Sequence, residues 1–152
     1  MKEASSQETP YGRYITSDGW FVLNLADALA VRNDEKGGAV YPLESREAPF
    51  GDFGVNVRVL EPGMAHVPPG EDPALGHSHR TIEEIYFVLE GELTVKLGDE
   101  TLTLGPRDAV RIPAQTPRAT RNESDAVTAF MLISVKVEDI RAESVRHDSF
   151  WV

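Results

Sequence analysis

The chain of 152 residues contains no cysteine. That excludes disulfides, thiolate metal sites and a cysteine nucleophile. Any metal must be held by imidazole nitrogen and oxygen, a donor set suited to Mn, Fe, Ni, Co or Zn. Long apolar runs are also missing: none approaches the roughly 20 residues of a membrane helix. Residues 1–10 lack the apolar stretch of a secretory signal, so a cytoplasmic location and no membrane partner are expected. Positive charge is scarce, with 15 Lys and Arg against 25 Asp and Glu and a formal net charge of -10. Such a balance repels phosphate backbones, so no nucleic-acid partner is expected. There is no P-loop, no dinucleotide-binding glycine pattern and no G-x-S-x-G elbow. The neighbours Glu83 and Glu84 would point opposite ways on a strand, which excludes them as an acid/base dyad.

What is present suits one globular domain: 41% hydrophobic and 26% charged residues. Residues 1–10 read as a disordered tail and 11–152 as a single domain with its barrel core at about 55–135. Asn24 or Asp27 is placed to cap a short helix through Ala30. Residues 32–38 form a charged loop, and residues 40–43 a short strand that Pro42 assigns to a sheet edge. Val55, Val57 and Val59 alternate with Asn56, Arg58 and Leu60, a period-two strand closed by Glu61-Pro62-Gly63. Residues 84–89 are dense in β-formers, and Leu93, Val95 and Leu97 alternate before Gly98-Asp99 turns the chain into residues 101–104. Strands are also expected over 109–112 and 127–137, and a turn or two of helix over 137–145. Many short strands broken by Gly and Pro predict an all-β sandwich or barrel with few short helices.

His77 and His79 follow a Pro/Gly-rich loop at residues 67–76. On a strand, residues i and i+2 share a face, so the two imidazoles converge. Glu84 heads the next strand and can meet them. Two histidines and a carboxylate leave open metal positions for water or substrate; histidines simply exposed in a loop are the plainer alternative. If Glu84 points inward, so do Tyr86 and Val88, and Ile85, Phe87 and Leu89 point outward, an apolar row that needs cover.

The string His77-x-His79-x4-Glu84-x6-Gly91, set in "EEIYFVLEGE" and preceded by "VRVLEPG", resembles the first motif of the cupin superfamily. One departure is Glu71 where the motif has its first glycine; Gly70 stands one step earlier. The resemblance runs over about residues 55–135. It implies a double-stranded β-helix (jelly-roll) barrel of two packed sheets. His77, His79 and Glu84 would be ligands of a divalent metal ion, with a fourth histidine from a second motif. It further implies a small metal-dependent enzyme, of dioxygenase, decarboxylase or isomerase type, on a small polar or carboxylate-bearing molecule. A non-catalytic ligand-binding barrel is the alternative. Relatives commonly pair, so a homodimer covering the outward row is expected.

Residues 105–122 resemble the second motif, but altered. Pro113 and Asn122 match, Gln115 replaces the glycine, and Arg118 stands where the histidine belongs. Arginine cannot ligate a metal. Three outcomes stay open: three protein ligands and water; a substitute ligand from Gln115 or His66; or no metal, with Arg118 paired to Glu84. A fixed cation opposes a metal ion, yet a carboxylate substrate lying between the two would suit both charges. Alternatively Arg107, Arg111, Arg118 and Arg121 form a solvated rim. Tyr86 lines the pocket or simply packs the barrel; Asn56 and Arg58 share one face, inward or outward; His147 is expected to be unrelated.

Overall fold

The alternating segments become two five-stranded antiparallel sheets and one three-stranded sheet in a computed structural model, which describes residues 5–9, 12–17, 20–25, 40–43, 50–68 and 70–152. In chain order the strands are β1 (Ser5–Thr9), β2 (Gly12–Ser17), β3 (Trp20–Leu23), β4 (Val40–Leu43), β5 (Phe53–Leu60), β6 (Gly76–His79) and β7 (Glu84–Glu90). They continue as β8 (Leu93–Leu97), β9 (Glu100–Leu104), β10 (Ala109–Ile112), β11 (Arg118–Arg121) and β12 (Thr128–Val135). A one-turn helix, α1 (Ile140–Glu143), precedes β13 (Ser144–His147). One large sheet runs β10-β7-β12-β5-β4 and the other β13-β6-β11-β8-β9, with β1-β2-β3 apart. This is the expected double-stranded β-helix.

Register explains which side chains face inward. Ser134 lies opposite both Glu84 and Gly54, Leu132 opposite Tyr86 and Asn56, and Phe130 opposite Val88 and Arg58. Directly paired residues share a face, so the even-numbered residues of β5, β7 and β12 point into the barrel. There Leu60, Tyr86, Val88, Leu93, Val95, Ile112, Phe130 and Leu132 form one buried cluster, each contributing about 1.5–3 kcal/mol by leaving water. The odd-numbered residues form the outer face. Val57 is buried there with Leu23, Leu25, Phe50, Val55, Leu89 and Met131 packed around it, so the chain itself covers part of that face. Ile85 remains 38% exposed and Phe53 59%.

Three expectations are corrected. Ser5–Thr9, read as tail, is a strand paired with β2. The strand Arg118–Arg121 was not legible in Arg-Ala-Thr-Arg, which has no clean alternation. Over 137–145 the helix is a single turn, capped by Asp139, which accepts from the Arg141 and Ala142 amides; Ser144 then enters β13. β4 is an edge strand, as Pro42 required. The proposed helix beyond Leu25 and the loop at 32–38 lie outside the described residues.

Candidate metal centre

β6 is flanked by β13 and β11, with Ser144 opposite His79, and both Arg146 and Arg118 opposite His77. His77 and His79 alternate with Ser78, so both rings enter the barrel, 5.2 Å apart between centroids. Ser78 faces out and bonds His147 Nε2 at 2.9 Å, which keeps His147 away from the site as expected. The connection at residues 80–83 then carries the chain to the opposite sheet, where Glu84 opens β7. Glu84 Oε1 lies 3.2 Å from His79 Nε2. Ligand atoms of His77, His79 and Glu84 all fall within 4.8 Å of one another.

The second carboxylate oxygen has other partners. Glu84 Oε2 accepts from Arg118 Nη2 at 2.6 Å and from the Tyr86 hydroxyl at 3.1 Å. Arg118 is wholly buried. Its Nη1 donates to the Thr116 carbonyl at 3.2 Å, and its Nε has no hydrogen-bond partner among the described residues. Arg118 is therefore inside the barrel, not part of a solvated rim. The other arginines of that region lie elsewhere: Arg111 pairs with Glu83 on the surface, and Arg121 stacks 4.6 Å over Trp151.

Burial alone would raise the Glu84 carboxyl, but the hydrogen bond from His79 and the charge of Arg118 outweigh it and hold the group far below the usual carboxylate range. Burial, then the charge of Arg118, lower His77 to about 4 despite the opposing charge of Glu84. His77 is thus a neutral imidazole at pH 7 with a lone pair to give. Burial and the nearby Glu84 push the Tyr86 phenol far up, so it stays a hydrogen-bond donor.

The remaining candidates divide. Tyr86 is fully buried and does both things expected of it, bonding Glu84 and packing on Phe130 with 5.7 Å between centroids. His66 accepts from Arg58 Nε at 3.2 Å and meets Phe130 edge-on at 5.5 Å. Its ring thus lines the same interior but is engaged by Arg58. Burial, Arg58 and His77 lower it to about 3. Arg58 is inward and buried, so its strand face is settled. Gln115 is not a substitute ligand here: it is exposed, with its amide directed at the Arg80 carbonyl at 3.5 Å. Its φ of 67° occupies the left-handed conformation that suits the glycine it replaces. Asn122 is structural; its amide donates to the Leu60 and Ala126 carbonyls at 2.9 and 2.7 Å.

Sequence reasoning missed Ser144 and Glu143. Ser144 Oγ lies 3.4 Å from His79 Nδ1. Glu143 Oε1 accepts from the Thr81 amide and hydroxyl and from the Ile82 amide. They come from the far end of the chain, more than 60 positions away, and no local pattern announces such pairing.

Residues 63–135 match the Cupin domain family model. The chain belongs to the cupin superfamily. An uncharacterized protein of Methanocaldococcus jannaschii is 40% identical over 58 residues, 38% of this chain and 46% of that protein, so under half of the relative's length is spanned. A Klebsiella pneumoniae protein with a double-stranded beta-helix domain is similar in structure at TM-score 0.61 and 15% identity, covering 84% of this chain and 96% of that one. A cupin-superfamily sugar phosphate isomerase from Silicibacter pomeroyi is similar at TM-score 0.55 and 24% identity, covering 67% of this chain and 62% of that one.

In this cupin the donor set fits a metal ion. Two ligand atoms held about 2.0–2.2 Å from one ion sit roughly 3 Å apart, and His79 Nε2 and Glu84 Oε1 are 3.2 Å apart. Only Oε1 of Glu84 is needed for this; Oε2 keeps Arg118 and Tyr86. The fourth position of the cupin pattern holds a guanidinium instead of an imidazole.

Proposed function

We propose that this cupin binds one divalent metal ion through His77, His79 and Glu84 and acts as a small metal-dependent enzyme on an anionic small molecule. The observation that carries the reading is the burial of Arg118 beside Glu84. A buried guanidinium facing a three-ligand centre suits a substrate carboxylate or phosphate, which would be held by the arginine fork at one end and by the metal at the other. The metal would supply Lewis-acid or oxygen-activating chemistry. The protein's own part is to orient Glu84 through Arg118 and Tyr86, keep His77 neutral and exclude water around the anionic group. Dioxygenase, decarboxylase and isomerase reactions all use such a set, and sugar phosphates are a reasonable first substrate panel given the Silicibacter pomeroyi neighbour.

The test is metal content of protein purified without chelator, compared with a His77→Ala/His79→Ala variant. One metal per chain in the wild type, lost in the variant, supports the reading. Metal-free protein whose melting temperature does not move on adding Mn, Fe, Ni or Zn ends it, because a ligand bound only by the folded state must raise that temperature. A second reading has an observation of its own: the 2.6 Å pair of Arg118 with Glu84 already neutralises the carboxylate without any metal. On that reading the barrel is a non-catalytic binder of small anions. It predicts anion binding that survives chelation.

We further propose a homodimer through the outer face, where Ile85, Phe53 and Val135 stay exposed. A monomeric sedimentation profile at micromolar concentration would exclude it.

A further inference from the structure

The C-terminal turn outside the family-matched segment makes a set of bonds to the ligand strands that packing alone does not require. Ser144 lies opposite His79 in the β13–β6 pairing, so the two side chains share the inward face. Ser144 Oγ donates its only proton to the Ile140 carbonyl at 2.7 Å. Toward His79 Nδ1, 3.4 Å away, the hydroxyl can therefore only accept, and Nδ1 must carry the hydrogen. Nε2, the nitrogen 3.2 Å from Glu84 Oε1, is then the one left to coordinate. Glu143, the neighbouring residue, receives three hydrogen bonds from Thr81 and Ile82. Arg80 donates its amide to the Glu143 carbonyl at 2.9 Å and its Nε to the Ala142 carbonyl at 3.1 Å. Residues 80–83 are the whole connection between the strand that carries the histidines and the strand that carries Glu84.

We propose that residues 140–144 are the positioning element of the metal centre. Ser144 fixes which nitrogen of His79 carries the proton, and Glu143 fixes the span from His79 to Glu84. This rests on the metal reading above. Partners of this kind orient a ligand without touching the metal, and their loss typically weakens metal binding about 10–100-fold.

The experiment has two independent readouts on the full chain. Nitrogen-15 NMR of the histidine rings in metal-free protein reports which nitrogen of His79 is protonated; wild type and Ser144→Thr should show hydrogen on Nδ1, and Ser144→Ala should lose that preference. Competition titration with Zn²⁺ should show Ser144→Ala and Glu143→Ala weakened about tenfold or more, with Ser144→Thr close to wild type. Thermal melts of the metal-free variants separate this effect from a general loss of folding. A bare Nδ1 in wild type, or unchanged Zn²⁺ affinity in both alanine variants, overturns the proposal. If the wild type takes no metal, the proposed function fails, and the His79 proton alone decides the role of Ser144.

Discussion

Arg118 and His79 divide one carboxylate between them: Arg118 Nη2 holds Oε2 of Glu84 at 2.6 Å while His79 Nε2 faces Oε1 at 3.2 Å. The two contacts have opposite consequences for a metal ion at Oε1. The hydrogen bond of Arg118 orders the carboxylate, an effect of about 1.5–3 kcal/mol for a bond to a charged group. The guanidinium charge repels the ion, by several kcal/mol for charges a few ångström apart at an effective dielectric of about 20. Repulsion wins.

Arg118→Met is therefore expected to raise metal affinity at least tenfold while lowering the stability of the metal-free protein by about 3 kcal/mol, since Glu84 is left buried without its partner. Urea unfolding with and without Zn²⁺ measures both. The two effects must move in opposite directions; weaker Zn²⁺ binding in the variant would show that ordering, not repulsion, dominates.

Gln115 occupies the second motif's glycine position at φ 67°. Its backbone is well used, the amide donating to the His79 carbonyl at 2.7 Å, while its side chain has one long contact, 3.5 Å, at the surface. A non-glycine residue in the left-handed region costs about 1–2 kcal/mol, partly regained by glycine's larger entropy loss on folding. Gln115→Gly should stabilise the protein by about 0.5–1 kcal/mol, or a melting rise of about 2–4 °C, with metal affinity unchanged. A fall in melting temperature would mean the side chain contributes more than its contact suggests.

How far the sequence could be read follows from what sets each feature. The parity of residues 84–89 is local, and it correctly put Glu84, Tyr86 and Val88 inside with His77 and His79. The position of Arg118 was undecidable because Arg-Ala-Thr-Arg has polar residues on both faces; the pairing of Arg118 with His77 and Leu97 decides it. The strand at Ser5–Thr9 was missed because a polar strand has no apolar alternation to reveal it. The cover supplied to Val57 by Leu23 and Leu25 and the bonds from Glu143 and Ser144 are tertiary. They depend on segments that meet only after the sheets have formed.

Two histidines in the barrel make the metal-free protein acid-sensitive. His77 is lowered to about 4 and His66 to about 3, both first by burial. Between the unfolded value of about 6.5 and these folded values, the unfolded chain binds more protons, so stability falls as pH falls through that window. Below about 4.5, the usual carboxyl value, the depressed Glu84 adds to the loss in the same direction. Melting temperatures of metal-free protein should be level from pH 8 to 7 and decline from about 6.5 toward 4. His66→Gln should flatten part of the decline. A profile level down to pH 5 would show that these imidazoles protonate freely in the fold.

Gly91 ends β7 at φ +72°, and a Cβ there would lie 2.3 Å from the Val127 carbonyl and 2.8 Å from Thr128 Oγ1. Thr128 is committed, its hydroxyl donating to the Glu92 carbonyl at 2.7 Å. β12 cannot retreat either, because it is paired on both sides, with β5 and β7. Gly63 has nearly the same backbone, φ +79°, but open space around the added carbon. The two glycines separate conformation from crowding. Gly63→Ala should cost only the left-handed penalty, about 1 kcal/mol. Gly91→Ala should cost that plus overpacking against fixed backbone, about 3 kcal/mol in all. Chemical denaturation of the two variants side by side measures the difference. Equal losses would mean that the junction of β7 and β12 yields, and that this glycine of the first motif is kept for its φ alone.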